Sequence, residues 1–306
     1  MSGINIRLRC AVWFQAVRAP FFTAAVIPVF LVFVYALWVK LPVTWFILPL
    51  AVMGMIFLHA GTNCINDYYD FKNGIDKKTT FGSSRVLVDG LMSPRHIFIE
   101  SIILFSLGAA IGLVIVASRG PVILGIGLVG MAGGYFYSAK PLGLKYLAWG
   151  DMMVFLLFGP FLAWGASYAL TGTHGTAVIL VSIPLGLLVT GILHANNIRD
   201  MRDDRSAGIK TMALLLGLKK SQIAYSLLLS GAYAGILVMT SARILPWQSL
   251  AVFLSLPLAV NNMTIINNVK EDNLKSIAKM DVQTAQLHLL FGLLLIFSIG
   301  WAGIFR

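Results

Sequence analysis

Hydrophobic positions in this chain do not alternate with polar ones. They fill long uninterrupted runs, and the polar residues collect in the gaps between them. About 20 consecutive apolar residues suffice for a helix to cross a bilayer core. Nine such runs stand out, at roughly 20–39, 44–64, 98–117, 121–138, 151–170, 176–195, 222–241, 247–266 and 286–304. The pattern predicts an all-α fold, an integral membrane bundle of nine transmembrane helices. Strands of a membrane barrel would alternate over about 10 residues, and these runs do not. The first run is longer than a signal-peptide core and has no convincing cleavage site, so it reads as helix 1.

Composition agrees: 58% of the 306 residues are hydrophobic and only 11% are charged, outside the range of soluble domains. The net charge of +11 raises nucleic acid as a partner, but its placement gives a different explanation. If the nine spans alternate in direction, Lys40, Arg119, Arg243 and Arg306 fall on one side and the other 19 of 23 Lys and Arg on the opposite side. The positive-inside rule makes the rich side cytoplasmic, with the N-terminus in and the C-terminus out. No basic patch interleaved with aromatics supports nucleic-acid binding; the expected surroundings are lipid, in a multi-pass protein of the cell membrane. Cys10 and Cys64 are too few for a disulfide framework and have no metal-ligand neighbours, and Cys64 reads as buried.

All twelve acids fall on the cytoplasmic side. Six of them sit in two short runs that follow directly on spans: NDYYDFKNGID at 66–76 and NNIRDMRDDRSAG at 196–208. Carboxylates at a membrane boundary are costly unless paired or coordinated, which marks a functional site. Asn66 and Asp70 are four apart, as are Asn196, Asp200 and Asp204, so on continuing helices each set projects from one face. The runs align at an offset of 130 residues, Asn66 on Asn196 and Asp70 on Asp200, with a basic residue two further on in both, Lys72 and Arg202. This predicts a single domain over 1–306 with two motif-bearing halves, about 1–139 and 140–306. Symmetry fails where Asp204 meets Gly74, leaving Asp67 or Asp76 to supply the extra carboxylate of the first half. Oxygen ligands without His or Cys suit a hard cation, and Mg²⁺ commonly takes one or two carboxylates plus substrate phosphates. The incomplete ligand set predicts a phosphorylated substrate.

Other polar residues carry two readings. Asp151 is either a helix N-cap or a site residue. His59 and His194, inside apolar spans, read as hydrogen-bonded packing residues more than as ligands. Asn261 and Asn262 line a polar pocket or bridge helices. Most polar residues after about 212 read as ordinary wet loops. The 71–97 connection mixes Gly, Ser and Thr with Val86, Leu87, Val88 and Leu91, the composition of a lid over the cytoplasmic mouth.

Together these residues resemble the UbiA superfamily of intramembrane prenyltransferases, which carry Asn-x-x-x-Asp after helix 2 and Asp-x-x-x-Asp after helix 6. Here those are Asn66 to Asp70 and Asp200 to Asp204. The resemblance covers nearly the whole chain and includes a Tyr-x-x-Lys element, Tyr137 and Lys140, and the PLGLKYLAWGD stretch after it. NDYYDFKNGID, SSRVLVDGLMSP and HANNIRDMRDDRSAGIKT look most like the menaquinone and vitamin K branch. The resemblance implies an Mg²⁺-dependent transfer of a polyprenyl group from its diphosphate to an aromatic acceptor, 1,4-dihydroxy-2-naphthoate in that branch. It implies that Asn66, Asp70, Asn196, Asp200 and Asp204 hold the metal, with Asp70, Asp200 and Asp204 catalytic. Arg18, Lys72, Arg85, Lys140, Lys145 and Arg202 would contact phosphate, and Asn63, Tyr137 and Asn197 the substrates. Asp67 is the candidate polarising base, with a supporting role as its alternative. A further Asp that some relatives place four residues after Asp70 is Gly74 here, which leaves the first-half ligand set open.

Other acceptors compete: 4-hydroxybenzoate, homogentisate or a glyceryl phosphate lipid. A secondary transporter also uses repeats and broken helices, but would place polar groups near the midplane with access from both sides. A scaffold has no need of duplicated carboxylates.

Overall fold

The structure is a computed structural model that describes residues 6–78, 80 and 82–304. Among them it is helical throughout, with one isolated parallel bridge, Leu147 to Lys210, and no strand. Helix α1 (Ile6–Ala16) precedes the bundle. Then come α2 (Thr23–Trp38), α3 (Ile47–Lys72), α4 (Pro94–Arg119) and α5 (Pro121–Phe136). The second half holds α6 (Gly150–Leu156), α7 (Leu162–Thr171), α8 (Thr176–Arg199), α9 (Met201–Ser206), α10 (Met212–Ser241), α11 (Leu256–Asn268) and α12 (Met280–Ile304). Among the described residues, eight helical stretches are long and apolar enough to cross a membrane. The remaining predicted span, 121–138, falls on the shorter apolar helix α5, whose 16 residues reach only about 24 Å at 1.5 Å per residue, short of the eight that qualify as crossings. The span expected at 151–170 is α6 and α7 joined through a wide turn, Leu157–Phe161, that contains Pro160. Proline has no N–H to give and crowds the preceding turn, so the helix widens there.

Helix ends follow local chemistry. Ser93 caps α4, its hydroxyl accepting from the His96 N–H, with Pro94 at the first helical position, where a missing N–H costs nothing. Gly217 interrupts α10 at φ 73°, ψ 164°. A residue with a side chain is disfavoured at that φ, so the long straight part of α10 starts later than its first residue, as the run at 222–241 anticipates.

The bundle is arranged for lipid. Leu128, Val238, Leu254, Phe297 and Trp301 are each more than half exposed on its outside, whereas Ser101, Asn262, Thr284 and His288 are fully buried. Large exposed apolar area on this scale marks a membrane-facing surface. Helix α3 packs along α4, and α8 lies against α10 and α12, which in turn contacts α2. At one end Arg119 ties three elements together. Its guanidinium donates to the carbonyls of Ala169 and Leu170 at 2.7 and 2.9 Å and to the Thr44 hydroxyl at 2.5 Å. Arg306, on the same sparse side by sequence, lies outside the described residues. The acidic runs gather at the opposite end.

Candidate active site

Helix α3 delivers His59, Asn63, Asn66 and Asp70 to one cavity, at the three- and four-residue spacing that keeps side chains on one helical face. The cavity, about 390 Å³, has a charged mouth at the ends of α3 and α8 and an apolar interior that reaches Ala51, Ile115 and Ala166.

The first motif is held by the loop before α6. Asn66 Oδ1 accepts from the Ser138 hydroxyl at 2.6 Å and from Lys145 Nζ at 2.7 Å. Asp70 accepts from Lys145 Nζ at 2.6 Å and from the Tyr146 hydroxyl at 2.7 Å. A cation thus already sits between the two motif oxygens. Burial, with Asp70 beside it, holds the Tyr146 phenol well above its usual range, so it stays a donor. Asp67 does not line the cavity. It is buried, paired with Arg18 and bonded to the Ser84 N–H at 3.2 Å. Its geometry matches the supporting role and not that of a base facing substrate. Arg18 lines the mouth in a left-handed conformation, φ 54°. Burial opposes its charge, yet Asp67, Asp76 and Asp70 hold the guanidinium above its ordinary range.

The second motif departs from the continuing helix expected of it. Helix α8 ends at Arg199, Asp200 is its C-cap at φ −92°, ψ 4°, and Asp204 belongs to the separate α9. The Asp204 N–H still bonds the Asp200 carbonyl at 2.8 Å, so Asn196, Asp200 and Asp204 all line the cavity. Arg199 donates to both oxygens of Asp200 at 2.8 and 2.7 Å and is tied to Asp281 at 3.3 Å. Asn197 also lines the cavity, and its amide donates to Asp151 at 2.7 Å. The other Asp151 oxygen lies 2.5 Å from His194 Nδ1, and His194 Nε2 lies 3.1 Å from the Ser221 carbonyl oxygen. Asp151 is therefore not a cap, a place Trp149 takes, and His194 is the bonded packing residue expected of it. Tyr137 lines the cavity.

Four expected phosphate contacts are not brought to the cavity. Lys72 is exposed and reaches the Tyr68 hydroxyl at 3.4 Å. Arg85 pairs with Asp89 at 2.8 Å. Lys140 and Arg202 are exposed. Of the six basic candidates, Arg18 and Lys145 remain. The helical pitch explains Lys72: two residues past Asp70 is about 200° around a helix.

The loop after α3 folds over the mouth, where Ile75, Asp76, Thr80 and Gly82 line the cavity. A Cβ on Gly82 would lie 2.9 Å from Asp200 Oδ2 and 3.4 Å from an Arg199 nitrogen, so any side chain here would push the Asp200 carboxylate and its Arg199 partner from their places. Five carboxylates, Asp70, Asp76, Asp200, Asp203 and Asp204, line the site against two cations, Arg18 and Lys145. Burial, and then Asp70 and Asp67, push Asp76 up to about 7; burial, and then Asp200, push Asp204 up to about 7. The Asn196 Oδ1 is buried without a partner. Surplus acidic oxygen and an orphaned amide oxygen fit a divalent, oxygen-seeking cation. Among the described residues no three His, Cys, Asp or Glu groups form a closed metal cage, so further ligands must come from elsewhere. Ser138, Tyr146 and Gly82 have no signature of their own in the sequence; only the PLGLKYLAWGD stretch pointed toward Tyr146.

The sequence model of the UbiA prenyltransferase family matches residues 25–290. The chain is 33% identical to the 1,4-dihydroxy-2-naphthoate octaprenyltransferase of Bacillus subtilis (strain 168), over 94% of this chain and 90% of that one. It is 30% identical to UbiA prenyltransferase domain-containing protein 1 of Danio rerio, over 97% and 86%. Its fold matches a UbiA homolog from Archaeoglobus fulgidus bound to DMAPP and Mg²⁺, with a TM-score of 0.61, 18% identity, and 93% and 99% of the two chains covered.

Proposed function

We propose that this chain, which belongs to the UbiA prenyltransferase family and is a multi-pass membrane prenyltransferase, transfers a polyprenyl group from its diphosphate to 1,4-dihydroxy-2-naphthoate. The observation that carries the reading is one cavity with five carboxylates and two cations at its mouth and hydrocarbon beneath. Identity to the Bacillus enzyme favours the naphthoate acceptor. The reading includes nine spans in one domain of two halves, 1–139 and 140–306, with the N-terminus and the site facing the cytoplasm of the cell membrane.

Asn66, Asp70, Asn196, Asp200 and Asp204 are the residues that would hold Mg²⁺. When bound, the metal supplies positive charge that stabilises the diphosphate as it leaves. Arg18 and Lys145 donate to phosphate oxygens and offset the charge that develops there. Arg199 fixes the Asp200 carboxylate, and Asp151 fixes the Asn197 amide. The loop around Gly82 covers the mouth and keeps water from the allylic carbon, which would otherwise be captured as a prenyl alcohol. The apolar walls below, Ala51, Ile115 and Ala166 among them, hold the prenyl chain beside the ring that attacks it.

The test is incubation of detergent-purified protein with Mg²⁺, geranylgeranyl diphosphate and either dihydroxynaphthoate or 4-hydroxybenzoate, with products identified by mass. Prenylated naphthoquinol is expected, absent with EDTA and reduced about 10²–10³-fold, the scale of losing a single electrostatic group, in Asp70→Ala and Asp200→Ala. Prenylation of 4-hydroxybenzoate alone would overturn the acceptor and leave the reaction class standing.

A further inference from the structure

Three residues lining the cavity carry buried side-chain atoms without a hydrogen-bond partner: Arg18 at Nε, Asn196 at Oδ1 and His59 at Nδ1. The first two lie at the charged mouth, where metal and phosphate would satisfy them. His59 lies deeper. It is seven residues before Asn66 on α3, about 10 Å along the helix axis, and only 8% exposed. Its ring lies edge-on to Phe158 with centroids 5.0 Å apart and tilted against Phe22 at 5.7 Å. An imidazole nitrogen left unpaired among aromatic rings has lost its water without gaining a partner, which destabilises the ligand-free fold. Neighbouring polar side chains are already spent: the Thr62 hydroxyl donates to the Leu58 carbonyl at 2.9 Å and the Asn63 amide to the Val17 carbonyl at 2.9 Å.

A polyprenyl tail offers no hydrogen-bonding atom, and the diphosphate belongs with the carboxylates and cations of the mouth. The substrate that combines a flat apolar body with polar substituents is the aromatic acceptor. We infer that His59 is the acceptor-recognition residue, its ring nitrogen hydrogen-bonding a hydroxyl or carboxylate of the aromatic substrate while Phe158 packs on the substrate ring. The inference rests on the prenyltransferase reading above, but not on which aromatic acid is the acceptor.

The test compares wild type, His59→Phe and His59→Gln. Steady-state KM is measured for each substrate, and binding of 1-hydroxy-2-naphthoate, which cannot oxidise to the quinone, is measured calorimetrically without Mg²⁺. His59→Phe should raise the acceptor KM and weaken naphthoate binding about tenfold, the scale of one hydrogen bond to a charged group, while the KM for geranylgeranyl diphosphate moves less than twofold. His59→Gln, which keeps a donor, should recover most of the loss. The melting temperature of ligand-free His59→Phe should equal or exceed that of wild type, because an orphaned polar atom is removed. Acceptor affinity unchanged in His59→Phe, or both KM values rising together, would overturn the inference. If wild type prenylates only another aromatic acid, that acid replaces naphthoate in both arms, so an error in the acceptor and an error about His59 give different results.

Discussion

Lys145 and Arg202 are both basic, both beside a motif, and opposite in placement. Lys145 Nζ touches Asn66 and Asp70 at 2.7 and 2.6 Å, whereas Arg202 is exposed and away from the cavity. Lys145→Ala should lower kcat/KM for the prenyl diphosphate by about 10–100-fold, the loss of a charge-assisted bond, and Arg202→Ala by less than about twofold, the worth of a solvated surface charge. Steady-state kinetics on the purified variants decides it, and equal losses would refute the placement. At this scale the sequence exposes the chemistry of Asn66, Asp70, Asn196 and Asp200, because oxygen ligands at four-residue spacing after apolar spans have little other use. It exposes the direction of flanking charges poorly. Arg199 looks like one more cytoplasmic cation, yet it is buried, clasps Asp200 directly and is anchored on its other side by Asp281, 82 positions away, a contact that no local pattern encodes.

The elements that close the site are its irregular ones, the loop after α3 and the short α9. They carry the two carboxyls that burial lifts to about 7, Asp76 and Asp204. Because both values stand above those of the unfolded chain, the metal-free fold is favoured at low pH and loses stability as pH rises toward about 7, levelling off above it. A divalent cation held by Asp204 needs that carboxyl charged and is attracted further by a charged Asp76 lining the same cavity, so its stabilising effect grows across the same window. Thermal unfolding in detergent should show Mg²⁺ raising the melting temperature more at about pH 8 than at about pH 5, with Asp204→Asn reducing the difference. A shift independent of pH would remove Asp204 from the metal site. The helices themselves were legible as apolar runs; the break at Asp200 was not, since NNIRDMRDDR has no Gly or Pro to announce it. The lid was legible from its mixed composition, but its approach to Asp200 depends on the missing side chain of Gly82, and the sequence alone does not distinguish that glycine from Gly74 or Gly90, which meet nothing.

For the whole molecule, the cytoplasmic orientation rests on charge counting and is open to direct test. Cys10 is exposed and Cys64 buried, so the chain carries its own reporter near the N-terminus. A membrane-impermeant maleimide should label Cys10 in inside-out vesicles and spare it in right-side-out ones, and the reverse should hold for Arg243→Cys in a Cys10→Ser background. Opposite labelling would invert the topology and place the site on the outer face. The cavity runs beside α3 from Leu50 to Asp70, about 30 Å by helical rise, which is the thickness of a bilayer core. A hollow of that length lined at one end by acids would be an ion leak if it opened at both. If the hollow has one mouth only, the Arg119 bonds to Ala169, Leu170 and Thr44, which cinch the far ends of α4 and α7 to the segment before α3, are what would close its other end. Reactants and products must then use the same doorway or slip sideways into lipid, and the membrane keeps its electrical insulation while a multiply charged anion is handled within it.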